Sequence, residues 1–186
     1  RSGIKSSFIE EISKYLFVNH PVVKKQKLLF ENSDICTGLF FSKDTVKTTS
    51  KDVDFCICRK KKITVGKDSF FVKIPVVSVE CKTHMDGTMF NEVIDTATRL
   101  RTSSPDSHNF VLMLWNQVGR DTFTVRRKAT FVSEFFALMK KPRNKIEEYN
   151  IETKPEVLLA YYNTVSKALD EYFKEYNFPE YGTYLS

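Results

Sequence analysis

A glutamate and a lysine lie two positions apart at the polar end of an apolar run, and their types and spacing could support catalysis. In the segment P-V-V-S-V-E-C-K, which begins at Pro75, β-strand alternation places Glu80 and Lys82 on one face and Cys81 on the other. Charged groups leave water only when they are paired with each other or with a metal ion. The alternative is a solvent-facing ion pair, but a position at the end of a buried strand favours a functional one.

A second acidic position lies upstream, in the segment D-V-D-F-C-I-C that begins at Asp52. Asp54 directly precedes the strand-like run, while Asp52 lies nearer a polar loop, and the two share one face of the strand. One of these carboxylates and Glu80 could share a hard divalent cation, with Lys82 beside it, because such cations prefer oxygen ligands. This combination suits phosphodiester hydrolysis, and we favour Asp54 over Asp52 as the ligand.

The elements that must position these residues predict an α/β fold with a mixed central β-sheet flanked by helices. The near-continuous apolar run F-V-L-M-L-W, which ends at Trp115, predicts a central strand covered on both faces. After Asp86, apolar residues recur at helical spacing over about four turns. Further strands are predicted at 53–58, 63–65, 69–74, 76–82 and 122–125, helices at 7–17, 133–140 and 156–176, and a polar loop at 45–51.

Composition limits the class of protein. A chain of 186 residues with 41% hydrophobic content supports one globular domain over residues 1–186. It begins Arg-Ser-Gly without methionine, which leaves open that it was excised from a longer chain. The 4 cysteines lack zinc-site spacing and favour a reduced, cytoplasmic protein. The sequence contains no stretch of ~18 apolar residues, so no transmembrane helix is predicted.

The charge balance indicates a polyanionic partner. The chain has 29 Lys and Arg against 23 Asp and Glu, a net charge of +6. Patterns typical of nucleotide-binding loops, zinc proteases and serine hydrolases are absent from the sequence. The basic clusters that could contact such a partner include one of Arg59, Lys60, Lys61 and Lys62 and one of Arg126, Arg127 and Lys128.

The spacing of Asp54 and Glu80-Cys81-Lys82 resembles the D…(D/E)-x-K signature of the PD-(D/E)xK nuclease superfamily, most closely a type II restriction endonuclease. The pattern extends over residues 50–115. The proline that often precedes the aspartate in that superfamily is replaced here by Val53, which keeps Asp52 as a rival ligand.

The resemblance implies a restriction-endonuclease-like core that cleaves double-stranded DNA with Mg²⁺, for which Mn²⁺ could substitute. Asp54, Glu80 and the main-chain carbonyl of Cys81 would hold the ion, and Lys82 would orient water or stabilise charge on the phosphate. Many members add an acidic residue from an N-terminal helix. A helical wheel centred on Phe8, Ile12 and Leu16 favours Glu11 for this role over Glu10, to which the pattern Ser7-x-x-Glu10 gives a capping role.

A cut through both strands requires two active sites, so the resemblance also implies a homodimer or a heterodimer with a related subunit. Two alternatives remain at this point. One is another nuclease on the same scaffold, such as a junction resolvase, a repair nuclease or a nicking enzyme. The other is a catalytically silent nucleic-acid-binding domain.

Overall fold

The computed structural model describes residues 6–42, 45–127, 130–140 and 154–174. Helices and strands alternate irregularly along these residues, as an α/β fold with a mixed sheet requires. The helices are α1 (Ser6–Phe17), α2 (Pro21–Lys25), α3 (Gly87–Ser103), α4 (Arg120–Arg127) and α5 (Pro155–Tyr172). The strands are β1 (Leu29–Glu31), β2 (Ile35–Ser42), β3 (Thr45–Lys51), β4 (Phe55–Val65), β5 (Asp68–Met85), β6 (His108–Asn116) and β7 (Val132–Ala137).

The strands form one mixed sheet, which confirms the predicted architecture. Its order is β1-β4-β5-β2-β3, and β6 pairs with β5 and with β7. β4 and β5 are antiparallel, whereas β5, β6 and β7 run parallel to one another. β5 lies at the centre of this arrangement because its 18 residues pair with β4, β2 and β6.

Helices cover both faces of the sheet. α1 and α5 cover one face, where Phe17 of α1 packs against Tyr161 and Tyr162 of α5 with ring centroids 5.8 and 5.4 Å apart. α3 covers the other face, and Asp86 caps its N-terminus by accepting a hydrogen bond of 2.9 Å from the amide of Met89. The predicted central strand is confirmed, because seven consecutive residues of β6 are buried between β5 and β7.

A bulge sets which side chains of β5 reach each face. Cys58 pairs with Pro75 and Ile57 pairs with Val77, so Val76 is an extra residue in β5. Proline has no amide hydrogen and is tolerated at such irregularities. The alternation that follows the bulge starts at Val77, whose side chain faces α1 and α5.

Three predicted elements were wrong, and tertiary pairing explains each of them. Residues 45–51 form a strand rather than a loop because β2 supplies the partner for the ladder. Residues 133–140 lie largely in β7, where Phe135 and Phe136 face opposite cores, rather than in a helix. Residues 122–125 belong to α4, whose Phe123 packs on the rings of Phe90 and Phe135. In the part of the chain that the structure describes, no helix is long and apolar enough to cross a membrane.

Candidate active site

Asp54, Glu80 and Lys82 meet at the point where β4 begins beside β5. The Nζ of Lys82 donates to Oδ2 of Asp54 at 2.9 Å and to Oε2 of Glu80 at 2.8 Å. The backbone amide of Cys81 donates to the same oxygen of Asp54 at 2.7 Å. Two carboxylates and one ammonium are therefore held together by direct hydrogen bonds.

Strand pairing explains this convergence. Phe55, the first residue of β4, pairs with Val79 of β5, so Asp54 lies beside Glu80 and Cys81. Alternation then places Glu80 and Lys82 on the same side of β5, as the sequence predicts. The side chain of Cys81 points to the opposite side, where it is fully buried in the core beneath α1 and α5.

Partial burial makes the charges of this site interact strongly. The side chains of Asp54, Glu80 and Lys82 are 28%, 14% and 22% exposed, respectively. Burial raises the pKa of Glu80, and the neighbouring charge of Asp54 adds to this effect. Burial alone would lower the pKa of Lys82, but the charges of Glu80 and of Asp54 outweigh it and raise this pKa. Lys82 is therefore an ammonium ion at neutral pH.

The structure places Glu10, rather than Glu11, beside this cluster. Glu10 lines the same cavity as Asp54, Glu80 and Lys82. Its pKa is raised by burial first and by the charge of Asp54 second. Glu11 is exposed and lines a neighbouring cleft instead.

The buried face of α1 explains why the helical wheel favoured the other glutamate. The face in contact with the core consists of Ile9, Ser13 and Phe17, whereas Phe8 is 51% exposed. This face is rotated by about 100° from the predicted one, which corresponds to one residue of an α-helix. The rotation brings Glu10 towards the sheet and turns Glu11 to solvent. Ser7 lies inside the first turn of α1 and not at its cap.

Asp52 lies in the wall of the cavity but makes different contacts. Its Oδ1 accepts a hydrogen bond of 3.0 Å from the amide of Asp34, a residue with a φ of 57°. This bond supports the turn between β1 and β2. Asp54 makes the contacts to Lys82 and Cys81, so the geometry separates two residues that the sequence left on one strand face.

The cavity at this site has a volume of about 450 Å³. Several lining residues come from elements that the sequence analysis did not connect with the site. Glu92 and Thr96 lie four positions apart on α3, and this spacing places them on one face of a helix. That spacing, directly after the strand that carries Lys82, is the signal that could have identified them. The described residues that line the cavity are Glu10, Asn32, Ser33, Lys51, Asp52, Val53, Asp54, Glu80, Lys82, Glu92 and Thr96.

The donor set of the site suits a hard cation. Among the described residues, no group of three or more His, Cys, Asp and Glu side chains lies close enough together to form a ready-made metal site. Mg²⁺ needs only one or two carboxylates, since it keeps several of its waters. Asp54 and Glu80 provide two carboxylates that already share one cation, the ammonium of Lys82. Burial raises the pKa of the Cys81 thiol, so only the main chain of this residue is suited to ligation.

The first predicted basic cluster is not among the described residues that line the cavity. Arg59, Lys60, Lys61 and Lys62 lie within β4, which joins the predicted strands 53–58 and 63–65 into one. The guanidinium of Arg59 is 5.4 Å from the centroid of the Phe173 ring, and Nζ of Lys60 is 4.6 Å from that of Phe71. Lys61 and Lys62 are exposed. Of the second cluster, Arg126 and Arg127 lie in α4, and Lys128 lies outside the described residues.

The mixed sheet with helices on both faces agrees with the predicted restriction-endonuclease-like core. The family model of the Bpu10I restriction endonuclease matches residues 26–153, and the chain belongs to this family. The resemblance drawn from Asp54, Glu80 and Lys82 is therefore confirmed at the level of the family.

A comparison with solved structures supports the fold. The chain is similar to a chain of the structure described as "native BbvCI A2B2 tetramer at low resolution", with a TM-score of 0.66 and 17% sequence identity. The similarity covers 89% of this chain and 66% of the other, so the chain spans just under two thirds of the length of that relative. A search of curated proteins gave no match.

Proposed function

We propose that the protein is a Mg²⁺-dependent endonuclease that hydrolyses phosphodiester bonds of double-stranded DNA, as a type II restriction enzyme or as a subunit of one. The observation that carries the proposal is the contact of Lys82 with both Asp54 and Glu80, at distances of 2.9 and 2.8 Å. Membership of a restriction endonuclease family supports the same reaction. An open cavity beside these residues supplies room for a phosphate group.

Asp54, Glu80 and the main-chain carbonyl of Cys81 are the proposed ligands of the ion. When bound, Mg²⁺ would polarise the scissile phosphate and lower the pKa of water, which supplies a nucleophile near neutral pH. Mn²⁺ has similar ligand preferences and would substitute for it. Mg²⁺ fits this site because Asp54 and Glu80 lie close together around the same ammonium group. A bound cation would relieve the repulsion between the two carboxylates.

Lys82 acts on the phosphate rather than as a ligand in this proposal. Its ammonium group donates hydrogen bonds, and a non-bridging phosphate oxygen is a suitable acceptor. The positive charge stabilises the additional negative charge that develops as water attacks phosphorus. Asp54 and Glu80 hold this group in position before substrate binds, which reduces the reorganisation needed for the reaction.

Glu10 replaces Glu11 in this proposal as the third carboxylate. It lies in the cavity with Asp54, and a raised pKa reflects its burial and that negative neighbour. A carboxylate at this position can accept a hydrogen bond from water at the edge of the site, and it adds negative charge that favours cation binding.

DNA binding is assigned to the basic residues of β4, with Arg126, Arg127 and Lys128 as the second candidate cluster. Lys61 lies seven positions after Asp54, which is roughly 20 Å along an extended strand. Contacts there would hold the duplex several base pairs from the cleaved bond. Because phosphate contacts carry no sequence information, this cluster would position the DNA without selecting the site.

A double-strand cut requires a second active site, which a homodimer or a heterodimer with a related subunit would provide. The structural relative is described as an A2B2 tetramer, which contains two kinds of subunit. We therefore include in the proposal that this chain pairs with a related subunit when both strands are cut.

Plasmid cleavage tests the proposal. Supercoiled DNA is incubated with the protein and Mg²⁺, and parallel samples contain EDTA or the variant Glu80→Gln. Discrete linear fragments that need both Mg²⁺ and Glu80 are the expected result, and open circles alone would indicate a subunit that cuts one strand. If the protein shifts the mobility of DNA but cleaves none of it with any divalent ion added, the proposal is overturned in favour of a catalytically silent binding domain.

A further inference from the structure

Strands β2 and β3 form a two-stranded ribbon at one edge of the sheet. Seven residue pairs join β2 to β3, whereas β2 meets β5 at one pair in the described chain, Ile35 with Lys73. β3 is the last strand at its edge of the described sheet. α3 packs against the start of β2, where Oγ of Ser103 donates a hydrogen bond of 3.3 Å to the carbonyl of Cys36. Further along β2, Phe40 and Phe41 on opposite faces are 59% and 70% exposed, so this part of the ribbon is open on both faces.

One face of the ribbon continues the wall of the candidate active site. Lys51, the last residue of β3, lines the cavity. Alternation places Thr49 and Lys47 on the same face, and Phe40 joins them because it pairs directly with Lys47. We call Phe40, Lys47, Thr49 and Lys51 the ribbon face. Phe40 is 59% exposed, and Lys47 and Thr49 are also exposed.

A glycine keeps the side chains of this face close together. Gly38 pairs with Thr49, and a Cβ atom at Gly38 would lie 2.8 Å from Oγ1 of Thr49 and 3.1 Å from the ring of Phe40. Thr37 donates a hydrogen bond of 3.2 Å to that same Oγ1. The ribbon face therefore presents a ring, a hydroxyl and an ammonium group next to one another.

The charge and shape of the ribbon match duplex DNA. β2 and β3 contain no acidic residue within their strand bounds and two lysines. Lys51 forms an ion pair of 3.9 Å with Asp95 of α3, whereas Lys47 is exposed. Lysines and threonines are common donors to phosphate oxygens, and a two-stranded ribbon fits the major groove. At about 3.3 Å per residue, Lys47 and Lys51 are about 13 Å apart. This distance corresponds to about four base pairs along the DNA axis, at about 3.4 Å per pair.

We propose that the ribbon face binds the duplex next to the cleaved phosphate, with Lys47 and Thr49 on backbone phosphates and Phe40 against the sugars or base edges. The inference rests on the proposed function, which places the cleaved phosphate at Asp54 and Glu80. The opposite face of the ribbon carries Phe41, which is 70% exposed and therefore gives a matched control on the same strand.

Photocrosslinking separates the two faces. All four native cysteines are buried, so a cysteine introduced on the ribbon can be labelled selectively. Phe40→Cys and Phe41→Cys are each labelled with a benzophenone maleimide, mixed with linear plasmid fragments and Ca²⁺ to prevent turnover, and irradiated. We expect the label at Phe40→Cys to crosslink to DNA several-fold more than the label at Phe41→Cys. Circular dichroism and thermal unfolding of the unlabelled variants verify that both are folded.

Salt dependence gives a second measurement that involves no label. Lys47→Gln should reduce the slope of log affinity against log salt by ~0.9, because the variant neutralises one phosphate fewer. Lys24→Gln, which removes an exposed cation from α2, should leave the slope unchanged. If the protein binds and cleaves DNA while both faces crosslink equally and the Lys47→Gln slope is unaltered, the ribbon assignment is overturned and the proposed function survives. If the parent neither binds nor cleaves DNA, both are overturned.

Discussion

Asp54 and Lys82 are 28 positions apart in the chain, yet Nζ of Lys82 lies 2.9 Å from Oδ2 of Asp54. The two residues come from neighbouring strands, and the amide of Cys81 fixes the same carboxylate oxygen at 2.7 Å. Because Glu80 also contacts Lys82, one ammonium neutralises part of the charge of two carboxylates. This arrangement brings the two proposed ligands close together.

Removing either proposed ligand should abolish cleavage. We expect Asp54→Asn and Glu80→Gln to reduce the rate below the detection limit while DNA affinity stays within about tenfold, because neither carboxylate attracts phosphate. Asp52→Asn is the matched control and should keep most of its activity, since Asp52 contacts the amide of Asp34. Rates from plasmid cleavage and affinities from fluorescence anisotropy check this. If Asp52→Asn loses activity and Asp54→Asn keeps it, Asp52 rather than Asp54 is the ligand.

Lys82→Met should lose catalysis by a large factor and keep metal binding. The side chain contacts both carboxylates but supplies no lone pair at neutral pH, because its pKa is raised by Glu80 and Asp54 despite burial. Its removal takes away a competing cation, so Mn²⁺ affinity measured by calorimetry should be unchanged or tighter. Loss of Mn²⁺ binding in this variant would contradict the role assigned to Lys82.

Glu10 and Glu11 offer a comparison between adjacent residues of α1. Glu10→Gln should lower the cleavage rate and raise the Mg²⁺ concentration needed for half-maximal cleavage, because Glu10 lies in the cavity close to Asp54. Glu11→Gln alters an exposed side chain and should leave the rate close to that of the parent. Cleavage measured over a range of Mg²⁺ concentrations distinguishes them, and equal rates for the two variants would remove Glu10 from the site.

The basic residues of β4 should contribute to DNA affinity through charge. Replacing Lys61 and Lys62 by glutamine should flatten the plot of log affinity against log salt by ~0.9 for each phosphate that is no longer neutralised. Sequence preference should survive, because phosphate contacts do not read bases. Both side chains are exposed and lie on the strand that begins next to Asp54, so their replacement should not disturb the core. An unchanged slope would direct attention to Arg126, Arg127 and Lys128.

His20 should make the fold less stable in mild acid. The residue is 6% exposed and lies against the rings of Phe17 and Tyr162, and burial lowers its pKa despite an opposing effect of Asp170. The unfolded chain therefore binds a proton at a higher pH than the folded chain, so stability falls as the pH drops below the ordinary value of 6.5.

Thermal unfolding at several pH values checks this effect. His20→Phe should flatten the pH dependence of the melting temperature in this range. It will not remove that dependence completely, because burial and Arg101 also lower the pKa of His108. His108→Gln is therefore the companion variant, and an identical pH dependence in parent and His20→Phe would contradict the prediction.

Local pattern was sufficient for the central features of the site. The spacing of Glu80 and Lys82 places both on one strand face whatever the strand packs against, because alternation is a property of the extended backbone. The continuous apolar run of β6 likewise predicted a central strand, since a strand covered on both faces has no polar side. The helix after Asp86 was predicted by helical periodicity, and its cap at Asp86 was found only in the structure.

Tertiary structure decided the features that depend on a distant partner. β3 is a polar segment that becomes a strand because β2 satisfies its backbone hydrogen bonds. β7 is a strand because β6 lies beside it and pairs with it. The choice between Glu10 and Glu11 depended on which part of the broad apolar face of α1 meets the sheet. A rotation of about 100° exchanges the two glutamates. The sequence of a helix whose apolar residues cover a broad arc cannot determine that rotation, because only contact with the sheet and α5 fixes it.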